Sequence, residues 1–163
     1  METTVQNSIT YDELLDVVEF QMHKSGLVQI EPIHQFTPGI YTRSIIVPAG
    51  VYLLSYTHNT EHQFIMSEGE IVIYTEDAGM IYMKAPYLGK TYKGDRRFAK
   101  TLSKVVWTSI HATGIMPKDD SEESLKEAVE AVEKEIFDKR ENIYLIQLKE
   151  NEEWQALQQP QSA

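Results

Sequence analysis

Pro48–Gly69 reads PAGVYLLSYTHNTEHQFIMSEG, and the fold turns on how this stretch is read. Val51–Tyr56 is apolar, aromatic and β-prone. A polar turn over Thr57–Thr60, a second apolar run over His62–Met66 and a Glu68-Gly69 turn follow. That order predicts strand, loop, strand and tight turn. Side chains alternate across a strand, so Tyr52, Leu54, Tyr56 and His58 are expected on one face, and His62, Phe64 and Met66 on the face of the next strand. If both faces point inward, Tyr56, His58 and His62 meet inside a β-barrel and form a pocket.

Outward from this stretch the pattern stays β from Leu27 to His111. Leu27–Glu31, Ile40–Val47, Glu70–Thr75, Met80–Lys84, Tyr87–Tyr92, Arg96–Thr101 and Lys104–His111 are further expected strands. Pro38-Gly39, Pro48-Ala49-Gly50, Asp77-Ala78-Gly79, Pro86 and Lys93-Gly94-Asp95 punctuate them. Short strands with frequent turns point to an all-β sandwich or barrel, not to βαβ units. Two helices flank it. Thr10-Tyr-Asp-Glu13 fits a capping box and opens a helix over about 11–24, closed by Gly26, with His23 in its last turn. Asp119–Arg140 carries Leu125, Val129, Val132 and Ile136 at helical spacing, with Asp120 or Ser121 as N-cap. Ile143–Leu148 is a short apolar run that could return to a sheet edge, and the chain beyond Asn151 reads as a frayed polar tail. The expected organisation is therefore 1–26 as an N-terminal helix and 27–117 as the barrel. After it come 118–150, a helix and short strand packed on the barrel, and 151–163, the tail.

Composition narrows the chemistry. The chain has 163 residues, no Cys and 42% apolar residues. A single core is affordable, but a disulfide framework, a thiolate nucleophile or a Cys-based metal site is not. No apolar run approaches the ~20 residues of a membrane-spanning helix, and Met1–Ser8 lacks the basic and apolar regions of a signal peptide. A cytoplasmic protein without a membrane partner is expected. A net charge of −10 argues against a nucleic-acid polymer as partner. The charge is uneven, however. Lys90, Lys93, Arg96, Arg97, Lys100 and Lys104 cluster with only Asp95 opposing them, whereas 119–141 is strongly acidic. No P-loop, dinucleotide fingerprint, nucleophile elbow or HExxH motif is present, which counts against the usual NTPases and hydrolases.

At Gly50 the spacing resembles a known pattern. The first cupin motif is Gly, five residues, His, one, His, three or four, Glu, six, Gly. Here Gly50, Tyr56, His58, His62 and Gly69 stand at those positions, with Tyr56 in place of the first His and His62 in place of the Glu. The segment resembles the cupin superfamily. Ile33–Thr113 is similar to small cupins of phage and prophage genomes, through His34, Ile40-Tyr41-Thr-Arg43, His58-Asn-Thr-Glu61-His62, Lys84-Ala85-Pro86 and Val106-Trp107-Thr-Ser-Ile-His111. The resemblance implies a mainly β, cupin-like double-stranded β-helix, or jelly-roll barrel, with an N-terminal and a C-terminal α-helix. It also implies a second ligand His about five residues before Trp107, where Leu102 stands.

Three functions follow as expectations. The first is a small-molecule-binding protein, taking a polar or anionic ligand such as a nucleotide or similar metabolite, in the manner of a phage accessory protein that sequesters it. Tyr56, His58, His62, Trp107, His111, Tyr41 and Arg43 would serve it, with Lys93, Arg96 and Arg97 neutralising charge. The second is a metal-dependent isomerase or oxygenase holding one divalent transition metal on His58 and His62, with Tyr56, Glu61, His34 or His111 as third ligand. The third is a non-catalytic homo-oligomeric interaction protein that uses its terminal helices.

Overall fold

The protein is described by a computed structural model covering residues 8–139 and 143–158. It divides into two compact units, Val28–Lys139 and a second formed from residues 1–27 and 140–163. The first carries every strand among the described residues.

Its strands are β1 (Ile33–Thr37), β2 (Ile40–Val47), β3 (Tyr52–Leu54), β4 (Thr57–His58), β5 (His62–Glu68), β6 (Glu70–Thr75), β7 (Gly79–Lys84), β8 (Tyr87–Thr91), β9 (Phe98–Thr101), β10 (Val105–Ala112) and β11 (Phe137–Asp138). They form a sheet ordered β1-β2-β10-β5-β8, a second ordered β3-β9-β6-β7 and a two-stranded β11-β4 pair. All pairings are antiparallel. Consecutive strands β2 and β3, β5 and β6, β7 and β8, and β9 and β10 lie in opposite sheets. This crossing pattern is that of a jelly roll, the double-stranded β-helix expected from the sequence.

Between the sheets, Phe64, Met66, Ile71, Ile73, Met83, Ala99 and Val105 form one buried apolar cluster. Phe64 stacks on Trp107 at 4.0 Å between ring centroids. Gly69, at the turn from β5 to β6, has φ +100°, and a Cβ there would sit 2.1 Å from the Lys104 carbonyl oxygen. Only glycine lets the turn pass that close.

Helix α2 (Glu122–Ile136) starts at Ser121, whose hydroxyl accepts from the Ser124 N–H. Its buried stripe is Ser124, Ala128, Val132 and Ile136, a strict i, i+4 row. The expected stripe was rotated from this by one position at two of its places, since Leu125 is exposed and Val129 only half-buried. Small side chains face the barrel because the helix lies close to it. Val132, Ile136 and Phe137 pack on Tyr41 of β2 in a second buried cluster. Where the helix ends, Phe137–Asp138 turns into a strand that pairs with His58 and Thr57.

In the other unit, α1 (Tyr11–Ser25) has the expected capping box between Thr10 and Glu13 and contacts α3 (Ile143–Gln158). The expected sheet-edge strand at Ile143–Leu148 and frayed tail after Asn151 are instead this one helix, described to Gln158. The tail beyond it lies outside the described residues. Three further expectations change. Leu27–Glu31 is not a strand, and β1 begins after Pro32, whose ring removes a ladder donor. Thr57-His58 is not a turn but half of the β11-β4 pair. The strand expected over Arg96–Thr101 starts only at Phe98. No helix among the described residues is long and apolar enough to cross a membrane.

Candidate functional site

Alternation in the two sheets aims a set of side chains at one cavity of about 240 Å³. β2 contributes Arg43 and Ile45, and β10 contributes Val105, Trp107 and Ser109. Leu53, Ile71, Ile73 and Ala99 come from the opposite sheet. His62 and Thr91, partners in register on β5 and β8, close one side. His58, Tyr56, Arg97 and Phe137 complete it. The β3-β9-β6-β7 sheet gives an apolar wall, whereas the other sheet mixes Ile45, Val105 and Trp107 with Arg43, His62, Thr91 and Ser109; His58, Tyr56, Ser55 and Arg97 are the remaining polar groups. No Asp or Glu among the described residues lines the cavity.

His58 is fixed from two directions. Its N–H donates to the Asp95 carbonyl at 2.9 Å and its own carbonyl accepts from Gly94 N–H at 2.7 Å. On its other edge it pairs with Phe137, whose ring lies 5.5 Å from the imidazole. The turn before β9 and the strand after α2 thus hold one residue. The same turn places Arg97, whose guanidinium donates to Thr91 Oγ1 and to the Lys90 carbonyl, both at 3.1 Å, and meets Asp95 at 3.4 Å. Arg43 makes no ion pair among the described residues. Its Nε is buried without a hydrogen-bond partner there, as is His58 Nδ1. Its guanidinium lies 5.7 Å from the Phe137 ring centroid.

The histidines form a file. His58 and His62 rings are 5.0 Å apart, His62 and His111 4.0 Å, and His111 and Tyr41 5.8 Å. Beyond them the Tyr41 hydroxyl hydrogen-bonds His34 Nδ1 at 2.7 Å. His62 Nδ1 meets the Thr60 carbonyl at 3.0 Å, so that nitrogen carries the proton and donates. Both nitrogens of His111 are buried without partners. Burial, then repulsion from His62, Arg97, His111 and Arg43, holds the His58 pKa down to about 3. His111 is likewise held to about 3 by burial, then by His62 and Arg43. His62 is lowered chiefly by burial. Burial pushes Tyr41 up to about 12. All three central imidazoles are therefore neutral near pH 7, and the positive charge of the site comes from arginine.

The expected pocket set separates accordingly. Tyr56, His58, His62, Trp107, Arg43 and Arg97 meet at the cavity. Tyr41 and His111 do not line it: both are fully packed behind it, Tyr41 beneath α2 and His111 against His62. Lys93 is exposed in the turn and Arg96 is half-buried, and neither is on the wall. Of the expected inward face, Leu54, Tyr56 and His58 line the cavity, but Tyr52 is half-exposed and stacks on Phe98, while Leu53 packs into the core. Irregular backbone at Ser55-Tyr56 then breaks the simple alternation, so Leu54, Ser55 and Tyr56 all reach the cavity. Sequence reasoning missed Phe137 and Thr91. Thr91 was accessible by counting alternate residues from the end of its strand. Phe137 was hidden because it lies past the helical stripe.

A cupin-type metal centre needs at least three convergent ligands. Glu61 turns outward to an ion pair with Lys90, His34 binds Tyr41, and two guanidiniums stand beside His58. No group of three His, Asp or Glu side chains among the described residues is arranged to hold a metal ion. The donor set does not fit a metal.

No protein-family model and no curated protein sequence matches this chain. Solved structures with similarity include a cupin-2 domain containing protein from Shewanella frigidimarina, 18% identical over 61% of this chain and 98% of its own, TM-score 0.43. An RmlC-like cupin from Methanocaldococcus jannaschii is 14% identical over 55% and 94%, TM-score 0.42. The Cnp3 cupin domain of Schizosaccharomyces pombe is 19% identical over 53% and 69%, TM-score 0.44. The strand topology itself is that of a jelly roll, a double-stranded β-helix. The pocket, however, combines arginine with neutral histidine.

Proposed function

We propose that this protein binds a small anionic molecule inside the barrel. The observation that carries this reading is the pair Arg43 and Arg97 on a cavity wall to which no carboxylate among the described residues contributes. Arg97 is pre-organised by Thr91 and the Lys90 carbonyl, and Asp95 offsets part of its charge. Arg43 makes no ion pair among the described residues, and its Nε is buried unsatisfied. A buried donor of that kind costs about 1–3 kcal/mol unless something accepts from it. An anion in the cavity would accept from it, and charge-assisted contacts to guanidinium are the strong ones. Neutral His58 and Tyr56 supply further polar contacts at low electrostatic cost.

The test is a thermal-shift and calorimetric screen of small anions, made on the wild-type chain and on Arg43→Gln and Arg97→Gln. Stabilisation by one or more anions, weakened at least tenfold in Arg43→Gln, supports the reading. Equal binding in both variants and wild type sinks it. Arg96→Ala, off the cavity wall, is the matched control and is expected to leave binding within about twofold of wild type.

A further inference from the structure

Resting on that reading, the composition of the cavity narrows the ligand. We propose that the ligand is a small monocarboxylic acid with an apolar body, its carboxylate facing Arg43 and His58 and its body lying against Trp107, Leu53, Ile73 and Val105. Charge sets the head group. Arg97 already meets Asp95, whereas Arg43 makes no ion pair among the described residues, so its guanidinium is the charge left for a ligand. A single negative charge matches it, whereas a phosphate dianion would bring a second with no partner. The histidines do not supply one, because a neutral imidazole donates a hydrogen bond without adding charge.

The walls set the body. Besides the arginines, the lining presents aliphatic side chains from both sheets, Ile45 and Val105 from one and Leu53, Ile71 and Ile73 from the other, with the Trp107 indole. The hydroxyls of a sugar or the ring nitrogens of a base would lose their water there without replacement, at a cost of kilocalories per group. A volume of about 240 Å³ also falls below the roughly 300–1,000 Å³ of sites for drug-sized ligands. Both points favour a compact apolar acid over a nucleotide.

The experiment titrates the full chain calorimetrically with acetate, butyrate, hexanoate, benzoate, hexanamide and inorganic phosphate. Affinity is expected to rise about fourfold per added methylene until the cavity is filled. Hexanamide should bind at least tenfold more weakly than hexanoate, and Arg43→Gln should erase most of that difference. A flat series from acetate to hexanoate, or phosphate binding more tightly than hexanoate, overturns the apolar body and leaves the anion reading standing. Hexanamide binding as well as hexanoate, or no binding by any anion, overturns the anion reading itself. The chain-length series uses only the wild-type chain, so it decides the matter even where Arg43→Gln does not fold.

Discussion

Two buried clusters in the barrel unit are built on opposite plans. One is wholly apolar: Phe64, Met66, Ile71, Ile73, Met83, Ala99 and Val105 fill the space between the sheets. The other joins Tyr41 to α2 and continues through His111 into His62 and His58. In the first, burial is its own reward, about 1.5–3 kcal/mol per large side chain. In the second, polar atoms are buried beside arginine without hydrogen-bond partners among the described residues. The contrast separates a part of the molecule that is wholly apolar from a part that buries polar groups. The second is the less stable arrangement, and it responds to protons.

The largest expected effect falls on the apolar cluster. Phe64→Ala removes a ring stacked between Trp107 and Tyr87 and should cost about 3–5 kcal/mol in denaturant unfolding. A loss below about 1 kcal/mol would break the assignment of this cluster as the main support of the barrel.

Acid should act on the other cluster. His58 and His111 have folded pKa values near 3, against about 6.5 in an unfolded chain. Between those values the unfolded state binds more protons, so stability is complete above about pH 6.5 and falls as pH drops toward 3. Each histidine contributes a slope of up to about 1.4 kcal/mol per pH unit. Together they should remove roughly 3–4 kcal/mol between pH 7 and pH 5, read as a falling denaturant midpoint. A midpoint independent of pH over that range would refute the neutral file.

His111→Phe sharpens the comparison by converting one cluster toward the other. It keeps a ring and deletes two orphan nitrogens, so stability at pH 7 should change by less than about 1.5 kcal/mol. The acid slope should fall by about half. An unchanged slope would move the acid sensitivity elsewhere. The smallest effect is expected at the Glu61–Lys90 ion pair, which is solvent-exposed on the outside of the barrel. Lys90→Ala should leave the denaturant midpoint close to that of the wild type, and any difference should shrink further at high salt.

Much of this was legible in the chain. The strands from Ile40 to His111, the Gly69 turn and the Thr10–Glu13 cap were readable because each depends on neighbours a few residues away. His62, Phe64 and Met66 share an inward face as alternation requires. Half of the pocket was readable too, since Tyr56, His58 and His62 do meet. The misreadings have local causes. Tyr52 left the expected inward face because it finds Phe98 and Lys100 on the outer one. Irregular backbone after Leu54 then lets Ser55 and Tyr56 both reach the cavity. The basic run 90–104 looked like one electrostatic unit, yet only Arg97 turns inward. Its neighbour Arg96 departs because adjacent residues in extended chain point to opposite sides.

The sequence by itself determined the strand succession, the turns, both capped helices and the presence of inward histidines, because periodicity and turn chemistry act over short separations. Only the tertiary structure decided that two arginines share the pocket wall with the histidines. Arg43, Arg97, His58 and Phe137 are up to 94 positions apart (137 − 43), and they converge through the β2-β10 and β4-β11 pairings and the Gly94 turn. Charge in a cavity depends on which side chains share it, and that is set by pairing across the fold rather than by spacing along the chain.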